Sequence, residues 1–298
     1  MYARARVILL TGATGLVGRA LLARLTRRGD RVRCLVRDPR RLGVERVRVQ
    51  IALGDLADPP SFRHALRGVE TVVHLAAATR DQPRGSIEEL TGVATWRMVR
   101  AAERAGVRHF VVVSALGAAP HAPARVLRAK ALAERAVRES LLAHTVFAPS
   151  LVYQPGDRWI TLLERAALAP AVPLPTSRRA LFQPIWAEDV ADCLVAGLDR
   201  EPRGARYELA GPDTLSIPAI ARIVLRAAGR SRTLLPVPAP VARRVLQVGE
   251  TLLGSAAPAV PAEAELLAAS MLARRGTADA ESLGVVPQAM GAVLGAGG

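Results

Sequence analysis

Residues 7–18, Val-Ile-Leu-Leu-Thr-Gly-Ala-Thr-Gly-Leu-Val-Gly, constrain this chain more than any other stretch. The apolar run 7–10 has the length and composition of a strand buried on both faces. Thr11 opens a turn with glycines at 12, 15 and 18, and Leu16, Val17, Ala20, Leu21 and Leu25 then recur at helical spacing. A strand that passes through such a turn straight into a helix presents backbone N–H groups and the positive end of the helix dipole to an anion. Gly12 permits the tight turn, Gly15 lets a ligand reach the backbone, and Gly18 lets the helix lie close against the strand. At the head of a βαβ unit this spacing predicts a bound pyrophosphate, hence a dinucleotide.

The rest of the first half keeps a strand–helix rhythm. Strands are expected over 32–36, 47–53, 70–74, 109–113 and 145–148, with helices over 87–105 and 124–142. That alternation predicts an α/β fold with a doubly wound parallel sheet. The pattern then changes: six of the 21 prolines precede residue 148 and fifteen follow it. Short helices are expected over 157–168, 188–198 and 217–228, strands over 183–186 and 207–210, and apolar helices over 241–253 and 262–273. We read residues 1–150 as the dinucleotide half, with about 183–210 returning to it. Residues 151–298 are mainly a smaller C-terminal lobe for substrate or partner, its end (291–298) frayed.

Composition narrows the function classes. A net charge of +15 suits nucleic acid or an anionic membrane. Aromatic residues make up only 3% of the chain, leaving few surfaces on which bases stack, so a specific nucleic-acid partner is not expected. The five histidines show no metal-ligand spacing, and Cys34 and Cys193 stand too far apart for a disulfide framework. With no leader ahead of the first strand and no span-length apolar run, a cytoplasmic protein is expected, at most peripheral at an acidic inner membrane face.

Two positions speak to the cofactor. The second strand runs directly into Arg37-Asp38-Pro39-Arg40-Arg41. A carboxylate at that point binds a ribose 2′-hydroxyl, whereas an arginine accommodates a 2′-phosphate. Arg37 follows the strand at once, which favours NADP(H) over NAD(H), with Asp38 as a rival ribose ligand. Asp55 either accepts a hydrogen bond from the adenine amine or caps the next helix.

Of 41 basic residues only Lys130 is a lysine. It falls on the helix after the fifth strand, where a nicotinamide ribose would lie. The TGxxGxxG opening, Gly54-Asp55, His74-Leu75-Ala76-Ala77 and Lys130 together resemble the short-chain dehydrogenase/reductase superfamily. The segments 148–156, 186–191 and 207–212 resemble its extended and atypical branches. The nearest group is the atypical one that holds the NADPH-binding accessory subunit of respiratory complex I and the NmrA-like regulators. The resemblance covers about residues 6–240 and implies a Rossmann fold. It also implies a cofactor set of Gly12, Thr14, Gly15, Leu16, Val17, Gly18, Arg37, Asp55, Leu56, Ala76, Ala77, Ser114, Lys130 and Pro149.

One catalytic element departs from the family. Its active members carry a tyrosine four residues before the lysine, one helical turn away, as the proton-transfer group. Here that position is Val126, and the three tyrosines (2, 153 and 207) lie elsewhere. The family's serine falls at Ala115, or at Ser114 with a one-residue slip. Lys130 still suits the ribose hydroxyls, but the usual acid–base pair is broken. Two readings remain. One is an NADP(H)-dependent reductase of a small molecule such as a quinone or enone, with Lys130, Ser114 and Tyr153 as catalytic candidates and Tyr153, His121 or water as proton donor. The other is a non-catalytic dinucleotide-binding protein that acts through a protein partner.

Overall fold

The computed structural model describes residues 6–176, 180–253 and 260–295. Six strands are built in chain order: β1 Val7–Thr11, β2 Arg31–Val36, β3 Gln50–Leu53, β4 Thr71–His74, β5 His109–Val113 and β6 Ala143–Pro149. With the edge strand Ala205–Leu209 they form one seven-stranded sheet in the order β3-β2-β1-β4-β5-β6-edge, every pair parallel. The chain moves outward from β1 to β3 and then returns to lay β4 on the other side of β1. The carboxyl ends of β1 and β4 therefore flank the switch point, where open α/β sheets bind their ligands.

Helices cover both faces, as strands buried on both sides require. On one face Ile8 and Leu10 pack with Leu21 and Leu25 of helix α1 (Leu16–Arg28) and with Val190 and Leu194 of the helix Ala187–Leu198. Those two helices are also joined by Arg24, whose guanidinium holds Asp192 at 2.8 Å and also bonds Glu188. On the other face Leu9, Val72 and Phe110 pack with Met98 and Val99 of the helix Ala94–Arg104. A separate cluster lies under the later residues, where Tyr153, Ile160, Phe182, Ile220 and Met271 come together. Fully burying each such side chain contributes about 1.5–3 kcal/mol, so the three clusters account for the packing of the sheet and of the later segments.

Several boundaries differ from expectation. The third strand starts at Gln50 rather than 47, because residues 39–47 coil into a short 3₁₀ segment capped by Asp38. The helix expected over 87–105 begins with a π turn, Glu89–Val93, before Ala94–Arg104 continues as α-helix. The helix expected over 262–273 stops at Leu267. The chain is pulled out there to donate Met271 N–H to Leu181 O at 2.9 Å and to accept Ser150 Oγ–H at 2.7 Å. The expected strand 183–186 shrinks to Ile185–Trp186, which pairs with Val152–Tyr153. A parallel pair, Ala171–Thr176 with Thr233–Pro238, was not anticipated, since its prolines argue against strand. The last segment is not frayed as far as Leu294: Met290–Leu294 is helical and Met290 is buried. Residues 296–298 lie outside the described residues.

Candidate functional site

The turn after β1 is built by close approach. Gly12 has φ +73°, and a Cβ there would sit 2.6 Å from the backbone nitrogen of Ala76, so only glycine lets β1 and the β4 exit run this close. A Cβ at Gly18 would lie 2.0 Å from Gly12 O. Gly18 thus packs α1 against the turn itself, where the sequence suggested the strand. Gly15 N–H donates to Gly12 O at 3.0 Å and Gly15 stands as the N-cap of α1 with no capping side chain. The first N–H groups of α1 are left for an anion.

Above the turn lies a cleft of about 410 Å³. Its floor is Gly12, Ala13, Thr14 and Gly15, and its second wall is Leu75 to Ala78 from the exit of β4. Gly54, Asp55 and Leu56 after β3 line the cleft too, as do Gln82 and Leu90. Val36, Arg37, Asp38 and Arg41 close one end. Arg37 and Arg41 are both exposed there. Arg37 makes a long contact of 3.4 Å to Gln82. The carboxylate of Asp38 is engaged as the cap of the 3₁₀ segment, accepting Arg40 N–H at 2.9 Å. Asp55 does not cap the next helix, since Asp58 holds that position; it accepts Ala57 N–H at 3.0 Å and pairs with Arg84 at 2.7 Å. Burial works against the Asp55 carboxylate, but the Ala57 N–H and Arg84 hold it below the usual carboxylate range.

Beneath the cleft floor runs a buried polar chain. Thr11 Oγ1 meets His74 Nδ1 at 2.9 Å, and His74 Nε2 meets Thr95 Oγ1 at 3.1 Å. Thr95 donates to Thr91 O at 2.6 Å, so its hydroxyl accepts from His74, which fixes the Nε2–H tautomer. Thr11 in turn donates to Nδ1 and accepts Ala76 N–H at 3.4 Å. Thr91 Oγ1 accepts Ala78 N–H at 2.9 Å. Burial, with Lys130 nearby, pushes the His74 imidazole down to about 3, so it is a neutral strut rather than a base. Thr91 comes from the π turn Glu89–Val93 and Thr95 from the first turn of the helix Ala94–Arg104.

The remaining predicted site residues lie away from the cleft lining. Leu16 is exposed, Val17 packs into the core, and Pro149 and Ser114 are buried at the ends of β6 and β5. Lys130, on the helix Arg125–Arg138, is buried and donates to Val113 O at 2.6 Å. Burial pushes its ammonium down to about 8, with Glu134 pulling the other way. Val126 does not face the cleft: it packs with Ile87, Val260 and Ala262. The position of the family's tyrosine is therefore packed among hydrocarbon side chains. Tyr153 is buried in the cluster under the later residues, and His121 is exposed. Cys34 and Cys193 are free and buried, and burial pushes both thiols up to about 12, so neither is a nucleophile at neutral pH. Among the described residues no group of three or more His, Cys, Asp or Glu is placed to hold a metal ion. Likewise, no helix is long and apolar enough to cross a membrane.

Sequence reasoning missed Arg41, Gln82 and Leu90 in the cleft and Thr91 and Thr95 beneath it. Arg41 had a signal, as it closes the same basic stretch as Arg37. The others come from the segment between β4 and the helix Ala94–Arg104 and from the first turn of that helix, which carry no motif.

Comparison with known proteins agrees with this geometry. Residues 12–201 match the family described as NAD(P)H-binding. Subunit 9 of the NADH dehydrogenase [ubiquinone] 1 alpha subcomplex from Arabidopsis thaliana is 30% identical over 249 residues, 78% of this chain and 60% of that protein. The chain thus spans about three fifths of that relative's length. The (4-alkanoyl-5-oxo-2,5-dihydrofuran-3-yl)methyl phosphate reductase of Streptomyces griseus is 30% identical over 275 residues, 87% of this chain and 92% of that enzyme. Among solved structures, a nucleoside-diphosphate-sugar epimerase from Staphylococcus aureus superposes with a TM-score of 0.78 at 20% identity, covering 96% of this chain and 99% of that one. An NADPH-dependent quinone oxidoreductase from Escherichia coli, complexed with NADPH, gives 0.76 at 17% identity, with 97% and 98% covered. A glycine turn at the switch point, a Rossmann-type sheet and a family match over residues 12–201 converge: the chain belongs to the NAD(P)H-binding family, among the atypical short-chain dehydrogenase/reductase proteins.

Proposed function

We propose that this protein is an NADP(H)-dependent reductase of a small conjugated acceptor such as a quinone or enone. The observation that carries the reading is the cleft above the Gly12–Gly15 turn, closed at one end by the exposed pair Arg37 and Arg41. At Gly15 an added Cβ would meet only Gly12 O, at 3.3 Å, so the turn leaves room for a pyrophosphate against backbone. Gly12, Thr14 and Gly15 would hold that group. Ala76 and Ala77 would let the nicotinamide half pass, while Asp55 and Leu56 would flank the adenine. Arg37 with Arg41 would take the 2′-phosphate, while Asp38, the rival ribose ligand, uses one carboxylate oxygen on its cap. When bound, the dihydronicotinamide supplies a hydride.

The acceptor class follows from Val126. A site without the tyrosine proton donor is poorly suited to alcohols and sugars. It suits a conjugated carbonyl, whose reduced form takes its proton from water. The Streptomyces relative, named for a ring alkene conjugated to a carbonyl, supports this, as does the quinone oxidoreductase of the same fold. The dinucleotide would occupy residues 1–150 with the returning segment 183–210, and the acceptor would meet residues from 151–298. A cytoplasmic setting, with at most peripheral membrane attachment, fits such an enzyme. Two observations favour the second reading, a non-catalytic role through a protein partner: the Lys130 ammonium is buried and bonded to Val113 O, and the Arabidopsis relative is named as a subunit of a subcomplex.

The test is NADPH oxidation at 340 nm with a panel of quinones and enones. Turnover with NADPH above NADH is expected. Tight NADPH binding with no oxidation across the panel would replace this reading by the non-catalytic one.

A further inference from the structure

Buried polar atoms are nearly always paired, so an orphaned one asks for a partner outside the chain. Among the described residues, three donors near the carboxyl ends of β5 and β6 are buried without a partner: Ser114 Oγ, Tyr153 Oη and Trp186 Nε1. Ser114 and Tyr153 are only 3% and 2% exposed. Tyr153 and Trp186 are register partners on parallel strands, so both side chains leave the same face of that pair. Their rings lie in one apolar cluster with Ala115 and Leu116, the two residues that follow Ser114. Backbone bonds run the chain after β5 along the end of β6, since Ser114 N–H donates to Phe147 O at 2.7 Å and Leu116 N–H to Pro149 O at 2.8 Å. Gln154 Oε1 is also unpaired but follows Tyr153 directly and so leaves the opposite face.

The chemistry of the missing partner is narrow. An indole N–H only donates, and burial with Asp189 and Asp213 nearby pushes the Tyr153 phenol up, so it too stays protonated. The partner must accept hydrogen bonds. The surrounding Leu116, Ala115 and Trp186 side chains favour a flat apolar body. A carbonyl group on a conjugated ring meets both conditions.

We propose that Tyr153 Oη and Trp186 Nε1, with Ser114 Oγ beside them, form a donor seat for the carbonyl oxygen of a quinone or enone. The proposal rests on the reductase reading and names the acceptor site that reading leaves open. Hydride addition to the conjugated carbon moves an electron pair onto that oxygen. The donors stabilise the charge as it grows, and a proton from water completes the two-electron reduction.

The experiment is calorimetric titration of 1,4-naphthoquinone into the NADP⁺-loaded protein, for wild type, Tyr153→Phe and Trp186→Phe, with melting temperature and NADP⁺ affinity recorded alongside. Each variant is expected to bind the quinone about five- to tenfold more weakly. NADP⁺ affinity should stay unchanged, and the melting temperature should be equal or higher, because an unpaired buried donor is removed. Quinone binding by wild type without NADPH oxidation would overturn the reductase reading and leave the seat standing. Wild type that binds NADP⁺ but not the quinone would overturn the seat. So would a Tyr153→Phe variant that melts higher yet binds the quinone as wild type does, because that hydroxyl then serves only a structural water.

Discussion

The turn that follows β1 and the lysine helix that follows β5 stand at the same edge of the sheet, yet they meet the ligand side differently. At the turn the chain offers bare backbone: Gly12 and Gly18 exclude their own side chains by contacts of 2.6 and 2.0 Å, and the cleft opens directly above. At the lysine helix side chains fill the space. Val126 is packed against Ile87 and Val260, and Lys130 is buried and bonded to Val113 O. The turn is specified by backbone sterics, Gly12 against Ala76 and Gly18 against Gly12. The helix is specified by packing, and its chemistry depends on which neighbours later segments bring. Cofactor capture can therefore persist while the catalytic chemistry at the other end is rebuilt.

Substitutions at the two ends should fail in different ways. The largest effect is expected from Gly12→Val. Strain at a positive φ and a clash with Ala76 together cost about 2–6 kcal/mol, and a fluorescence titration should show NADPH affinity at least about 100-fold lower. Wild-type affinity would erase the contrast. Next comes Lys130. Its folded-state ammonium loses its proton near 8, while the unfolded chain keeps it to about 10.5. Between those values the unfolded state binds more protons, so stability rises with pH. Urea melts at pH 7.5 and 10.5 should show wild type gaining up to about 3 kcal/mol relative to Lys130→Met. Equal pH slopes for both proteins would mean that the ammonium is not buried as described.

Restoring the family's tyrosine sharpens the comparison further. Because Val126 is enclosed by hydrocarbon, Val126→Tyr should lower stability by about 1–3 kcal/mol and create no alcohol dehydrogenase activity. Turnover of a secondary alcohol by that variant would show the position to face the reacting groups after all. The smallest effect is assigned to Arg37→Asp, where Arg41 remains in place. The ratio of NADPH to NADH affinity should fall about tenfold, and an unchanged ratio would remove Arg37 from the 2′-phosphate site.

The same contrast explains what the sequence disclosed. The turn was legible because glycine spacing, strand and helix reinforce one another within residues 7–18, although the contact that demands Gly12 is made by the distant Ala76. The sheet was legible because strand–helix alternation fixes a parallel architecture whatever the loops do. Neither local cue reaches the other end. Nothing near Thr95 reveals that it would meet His74, 21 residues away in sequence, and nothing near Thr91 that it would meet Ala78. Nothing near Val126 reveals that Val260 and Ala262, more than 130 positions on, would close over it. The pairing of Tyr153 with Trp186 is likewise a long-range register, carried by strands of two residues each that have no periodicity to read. The boundary at Leu267 was misjudged for a related reason, since an apolar helical pattern continues in sequence after tertiary pairing with Leu181 has ended the helix.

Native mass spectrometry of gently purified protein tests the central claim most directly, because that claim is a dinucleotide seated on the turn after β1. The account predicts a population heavier by one NADP(H), depleted in Gly12→Val and restored in wild type by added NADPH ahead of NADH. A wild-type protein that carries no dinucleotide and gains no mass with either cofactor would contradict it.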